Sequence, residues 1–332
     1  MRAALPLIGR RLLLAGAGLA SMGMAPMLRV AALFAGRIDD DGFMQAGYRG
    51  LAKARDSLGV AINWSEGIKP DTASLAAALR DLAATRPSMV IAHGGQNNEA
   101  ARTVAAEFPQ TPFVVTQGNV TGANLGSYEV LQEQSAFLAG ALAGWTTRSG
   151  TVGHMSGIRV APGLKGRAAF AHGVAHANPA VRLLTNFSGN QDDAALSHRV
   201  AEGMIAAKAD IIFTMLNAGR SGAIDACREH GVKQIGNVGD WVAQQPDVFI
   251  ASAVADSGAA VYKAVEDMVN NRLKLGVIDK IGLERPDAVR LTLSTLIPPA
   301  IIERVGQLAA HVQGGAVLVP TEWSGEEFAT PH

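Results

Sequence analysis

The chain has 332 residues, 48% of them apolar, 17% charged and 5% aromatic, and its 29 basic side chains balance its 29 acidic ones. That length and apolar content fit about two domains with sizeable cores and exclude an intrinsically disordered chain. Zero net charge lacks the basic footprint of nucleic-acid binding, so no nucleic-acid partner is expected, and the single Cys227 excludes an intramolecular disulfide and any multi-cysteine metal site.

Residues 1–38 hold five arginines and no acid. Arg10 and Arg11 precede an apolar run at 12–20, then small residues up to Ala25 and Pro26. This is the layout of an export signal, here expected over 1–25, and the paired arginines suggest the twin-arginine route. The run is well short of the ~20 residues a membrane-spanning helix needs. No cysteine lies near to carry a lipid, so the mature protein is expected free in the periplasm. A second reading of these residues is a dinucleotide-binding turn. Gly16 and Gly18 follow an apolar triplet, and Asp39 lies about 20 residues on, which would make the protein an NAD-dependent oxidoreductase. That reading leaves only 19–27, with Pro26 near its end, for the intervening helix.

From residue 28 the chain alternates. Apolar runs predict strands at 29–35, 60–64, 89–93 and 113–117, then at 151–155, 181–187, 210–215, 234–238 and 248–253. Ala-rich segments of helical period predict helices at 42–58, 72–85, 97–108, 132–147, 163–177, 192–207, 221–230, 257–271 and 298–313. Fully apolar strands alternating with helices mean parallel sheets covered on both faces. The series divides near residue 125 into two doubly wound halves.

Ligands of such sheets bind where the strands end at their carboxyl side. The segments there are rich in Gly, Asn, Gln and Asp, which suits a polar small molecule with several donors and acceptors. Candidate contacts in the first half are Asp39, Asp40, Phe43, Met44, His93, Gln96 and Gln117. In the second half they are Gln191, Asn217, Gly219, Asp240 and Trp241. His93 closes a buried strand, which sets it apart from the other histidines. Asp39, Asp40 and Asp41 open a helix, where carboxylates cap free N–H groups. His172 and His176 have metal-capable i, i+4 spacing but no accompanying HExxH, so no metal is assigned to them. There is no nucleophile elbow and no Walker loop, so neither catalytic residues nor a cofactor are expected.

The segment Ile38-Asp39-Asp40-Asp41-Gly42-Phe43, with Tyr48 further on, resembles the signature of the basic membrane protein (BMP, PnrA-like) family of ABC transporter substrate-binding proteins. The similarity continues through Ile91-Ala92-His93-Gly94, Glu107-Phe108-Pro109, Ala136-Phe137-Leu138-Ala139-Gly140 and Ala209-Asp210-Ile211-Ile212-Phe213. The resemblance implies the type I periplasmic binding protein fold, two Rossmann-like lobes with a hinge and a ligand in the cleft between them. The lobes would be 28–126 plus 253–284 and 127–252 plus 285–320. It implies a solute-binding receptor for an ABC importer, with the transporter permease as partner and a purine nucleoside, nucleobase or similar planar heterocycle as ligand. A receptor reporting its bound state to a signalling partner has the same sequence features.

Nucleoside-binding members hold the base between two Phe rings, and Phe43 matches the first. Gln191 stands where the second is expected, and Gln117 replaces a base-reading Asp. Asn237-Val238-Gly239-Asp240 keeps one carboxylate of the ribose-binding region, and Ala255 replaces its Lys. Loss of a Lys together with an Asp avoids leaving one charge unpaired. Trp241 could restore a stacking face.

Overall fold

A computed structural model describes residues 27–330. The expected export signal at 1–25 and the Gly16/Gly18 turn lie outside them. The first half runs β1 (Arg29–Phe34), α1 (Phe43–Leu58), β2 (Ala61–Ser65), α2 (Thr72–Ala84), β3 (Met89–His93), α3 (Asn98–Glu107), β4 (Phe113–Thr116) and β5 (Leu125–Val130). Next come α4 (Gln132–Thr146), β6 (Thr151–Ser156), α5 (Ala161–Ala177), β7 (Arg182–Phe187), α6 (Ala194–Ala206), β8 (Ile211–Met215), α7 (Arg220–His230) and β9 (Lys233–Val238). The chain continues through α8 (Trp241–Gln244), β10 (Phe249–Ala255), α9 (Ser257–Val269), β11 (Ile278–Ile281), β12 (Val289–Leu293) and α10 (Pro299–Gln313).

The strands form two six-stranded sheets, ordered β11-β5-β4-β3-β1-β2 and β12-β10-β9-β8-β6-β7. Every pairing is parallel except that of β12 with β10. Alternation within each strand divides the cores. Val30, Ala32 and Phe34 face α1 and α9, while Ala31 and Leu33 face α2 and α3. In the second lobe Ile211 and Phe213 face α4, α5 and α10, and Ile212 faces α6 and α7. Helices α4 and α5 approach closely because glycines meet backbone: a Cβ on Gly140 would lie 2.1 Å from the Phe170 carbonyl, and one on Gly173 equally near that of Phe137.

Each expected strand and helix is present, its ends moved by no more than a turn. Three strands were not expected. Gly126, Ser127 and Glu129 interrupt β5, while Asp279 and Lys280 interrupt β11. Edge strand β12 alternates polar and apolar residues too briefly to stand out. These strands move the lobe boundaries. The chain passes between sheets at Leu131 and Asp256 instead of at 126/127 and 252/253, because β5 completes the first sheet and all of β10 belongs to the second, and its third passage, across 282–288, contains the expected 284/285.

After α10 the chain follows the second lobe without regular secondary structure. The Glu322 carbonyl accepts from His172 at 2.9 Å, Trp323 stacks on the Arg167 guanidinium, and Glu327 pairs with Arg159 and Arg167. The Phe328 N–H then donates to the Thr185 carbonyl of edge strand β7 at 2.7 Å, and the Phe328 ring packs against the core beneath α6 and α7.

Candidate functional site

The carboxyl ends of β1 and β3 face those of β6, β8 and β9. Asp40 joins the two sides. Its Oδ1 accepts from the N–H groups of Gly42 (2.9 Å) and Gln45 (3.0 Å), and its Oδ2 from that of Met44 (3.1 Å), which seals the start of α1. Across the cleft, Asn217 Nδ2 donates to the same Oδ2 at 3.2 Å. Burial pushes the Asp40 carboxyl above the ordinary carboxylate range, and the like charge of Asp192 adds to this, against the three backbone donors. Asp39 belongs to the surface, held bidentately by Arg37 at 2.8 Å.

Phe43 lies flat on His93, the ring centroids 4.3 Å apart and the planes 22° off parallel. His93 is fully buried. Its Nε2 lies 3.0 Å from the Phe43 carbonyl, which can only accept, so Nε2 carries the proton and Nδ1 accepts from the Thr116 hydroxyl at 2.7 Å. Burial lowers its pKa to about 4, so the ring is neutral at pH 7. The close approach needs Gly47, where a Cβ would lie 2.5 Å from the imidazole. His93 is therefore a support beneath Phe43, with both nitrogens committed, and its expected place against a ligand is corrected.

Gln117 also turns inward. It adopts a left-handed φ of 56°, its Nε2 donates to the Val130 carbonyl at 3.1 Å, and its Oε1 accepts from the Val130 N–H. The amide thereby stands in for a rung between the ends of β4 and β5. Met44 packs over Gly36 between the two cores of the first lobe. Gln96 sits at the turn after β3, its Nε2 3.5 Å from the His93 carbonyl.

On the opposite wall the Gln191 carbonyl accepts from the N–H groups of Asn217 (3.1 Å) and Gly219 (3.0 Å), and its side chain lies over Gly157. Among the described residues the Gln191 amide side chain makes no hydrogen bond. Asp240 caps α8 through Ala243 (3.3 Å) and accepts from Thr292 Oγ1 at 3.1 Å, while among the described residues its Oδ2 has only the Arg290 guanidinium, 4.0 Å away. Trp241 packs back on its own lobe, over Gly236, with Arg220 at 4.5 Å and Phe249 at 5.7 Å, and Nε1 donates to the Asn237 carbonyl. It does not supply the stacking face expected of it.

Arg220 was missed as a candidate. It is buried with no carboxylate beside it among the described residues, donating to the Thr214 carbonyl and hydroxyl at 3.0 Å, to the Leu216 carbonyl and to Asn237 Oδ1 at 2.6 Å. Burial lowers its pKa to about 9. It ties the ends of β8 and β9 together beneath the cleft. The sequence signal was an arginine in the first turn of α7, directly after the Asn217–Gly219 loop. The structure thus brings together Asp40, Phe43, His93, Gln191, Asn217 and Gly219, and keeps Asp39, Gln117 and Trp241 out of that group.

Residues 27–304 match the family described as ABC transporter substrate-binding protein PnrA-like. The chain belongs to this family. Basic membrane protein A of Borreliella burgdorferi (strain ATCC 35210 / DSM 4680 / CIP 102532 / B31) is 23% identical over 300 residues, covering 88% of each chain. Transcriptional activator protein med of Bacillus subtilis (strain 168) is 22% identical over 280 residues, 84% of this chain and 87% of that protein. In fold, this PnrA-like protein is similar to an ABC transporter solute-binding protein of Aeropyrum pernix K1. Their TM-score is 0.76 at 19% identity, covering 89% and 94% of the two chains. The fold is that of the type I periplasmic binding proteins. The protein is an extracytoplasmic solute-binding receptor of an ABC importer, and its family is one of transport proteins rather than enzymes.

Proposed function

We propose that the solute is a purine nucleoside, a nucleobase or a similar planar heterocycle, stacked on the cleft side of Phe43. The supporting observation is the Phe43–His93 pair. A half-buried ring at the start of α1 has one face fixed by a neutral imidazole whose two nitrogens are both satisfied, a preorganised platform for a second flat ring. Asp240 Oδ2 is the carboxylate oxygen we assign to ligand hydroxyl or N–H groups, since Asp40 already holds four donors. The amide of Gln191, and that of Gln96 beyond its one long hydrogen bond to the His93 carbonyl, add neutral donors and acceptors. The three passages between sheets, at Leu131, Asp256 and 282–288, act as the hinge that closes the lobes over the solute. The permease of the importer would then receive the closed form.

Mass spectrometry of small molecules carried through purification, followed by titration calorimetry with the compound found, tests this. Phe43→Ala should weaken binding roughly 5- to 150-fold, the cost of a lost stack of about 1–3 kcal/mol. Purine affinity equal to the parent's in Phe43→Ala would overturn the stacking assignment. An aliphatic or sugar ligand without a planar ring would overturn the ligand class.

A further inference from the structure

Away from the cleft, α6 and α7 pack so closely that a Cβ on Gly222 would run into the Ala194 carbonyl. Their outer surfaces carry four metal-capable side chains. His198 and Glu202 stand one turn apart on α6, and Glu229 and His230 close α7. His198 Nε2 lies 3.7 Å from Glu229 Oε2, and His230 Nε2 lies 2.8 Å from Glu202 Oε1. One ligand atom each from His198, Glu202 and Glu229 falls within 4.8 Å of the other two.

Two ligands on a tetrahedral ion with bonds of about 2.0–2.1 Å stand about 3.3 Å apart. The 3.7 Å between His198 and Glu229 lies close to that value and no pair of the three exceeds 4.8 Å, so rotamer adjustments of partly exposed side chains can draw them onto one ion. We propose that His198, Glu202 and Glu229 form a binding site for Zn2+ or a divalent ion of similar borderline softness. An imidazole nitrogen with two carboxylates suits such an ion, whereas Ca2+ and Mg2+ prefer shells of oxygen alone. His230 orients Glu202 from the outer shell through its 2.8 Å hydrogen bond. Cys227 takes no part, its thiol buried and turned toward Gln234. Three protein ligands leave the fourth position to water. The ion would clamp the two helices whose leading loops present Gln191 and Asn217.

The test is titration of the chelator-stripped, full-length protein with ZnCl2 by calorimetry and thermal melting. The expected result is one ion per chain at micromolar affinity, with a Tm raised by Zn2+ and not by Mg2+ or Ca2+. Co2+ in place of Zn2+ should give the visible absorption of a tetrahedral centre. His198→Ala and the conservative Glu229→Gln should each cut Zn2+ affinity at least about tenfold, and His230→Ala about tenfold. His172→Ala with His176→Ala, which removes the other i, i+4 histidine pair, should leave the site unchanged. Absence of saturable Zn2+ binding would overturn the proposal. So would stoichiometric binding that survives His198→Ala, or that is lost in the His172/His176 double variant.

Discussion

Both nitrogens of His93 serve the protein, and the pH dependence of stability should show it. The folded His93 is held to a pKa of about 4, below the roughly 6.5 of an unfolded histidine. Its contribution to stability is therefore complete above about pH 6.5 and is lost as the pH falls toward 4, because only the unfolded chain takes the proton in that window. His154, fully buried among Phe170, Phe187 and Phe213 and held to about 3, acts in the same direction. Each histidine adds up to about 1.4 kcal/mol per pH unit to the slope. Urea unfolding at several pH values between 7 and 4.5 should show the parent losing stability faster than His93→Gln, and the difference isolates His93 from the carboxylates. Parallel slopes would mean that the native ring protonates as readily as the unfolded one. None of this was legible in the residues alone. A histidine ending a buried strand reads equally as a ligand contact or a support, and only Thr116 and Gly47, distant in sequence, decide between them. The same holds for Gln117, whose partner Val130 lies on a strand the hydropathy pattern concealed.

At the scale of elements, the Ala-rich helices were visible from their period, but the closeness of their packing was not. Gly140 and Gly173 look like ordinary helix-weakening residues until α4 and α5 are seen to meet backbone to backbone. Gly140→Ala would gain helix propensity on an isolated helix, yet here it should destabilise the protein by about 1–3 kcal/mol through overpacking, measurable by urea unfolding. The segment after α10 shows no strand or helix pattern in the sequence, yet its side chains tie it to the second lobe. Arg167 is largely buried and Glu327 neutralises it, so Glu327→Gln leaves a poorly hydrated charge with a weaker partner. We expect a loss on the order of 2 kcal/mol, discounted because Glu327 itself is partly exposed. Arg167→Met in the Glu327→Gln background should recover part of it. A Glu327→Gln protein as stable as its parent would show that the segment merely rests on the lobe.

For the whole molecule, the two-lobe plan was legible because alternating strands and helices fix a doubly wound architecture, although the break read near residue 125 falls one strand before the passage at Leu131. The exact points of passage were not, since Gly126, Ser127 and Glu129 hide β5, Asp279 and Lys280 hide β11, and β10 runs on as one apolar strand past the expected boundary. The Asn217–Asp40 hydrogen bond crosses the cleft and favours the closed arrangement. Asn217→Ala should weaken solute binding about fivefold, from a bond worth about 1 kcal/mol at a partly exposed site, while the Tm stays near the parent's. Small-angle scattering should show a larger radius of gyration for this variant at equal solute concentration. An unchanged radius and affinity would place the closing force elsewhere.

The pairing of α1 with α9 carries a consequence for how the chain comes together. Residues 43–58 find their cover in residues 257–269, where a Cβ on Gly50 would lie 2.1 Å from the Gly258 carbonyl and one on Gly258 2.2 Å from that of Ala46. The loop closed by that contact contains almost the whole second lobe, so the entropy of joining its ends falls only once that lobe has condensed. A fragment ending at Val130 would keep α1 but lack the α9 cover of β3, β4 and β5 on that face, and no single cut in the chain separates one finished lobe from the other. Each lobe is finished by a strand that the chain makes only after visiting the other: β11 for the first, β12 for the second.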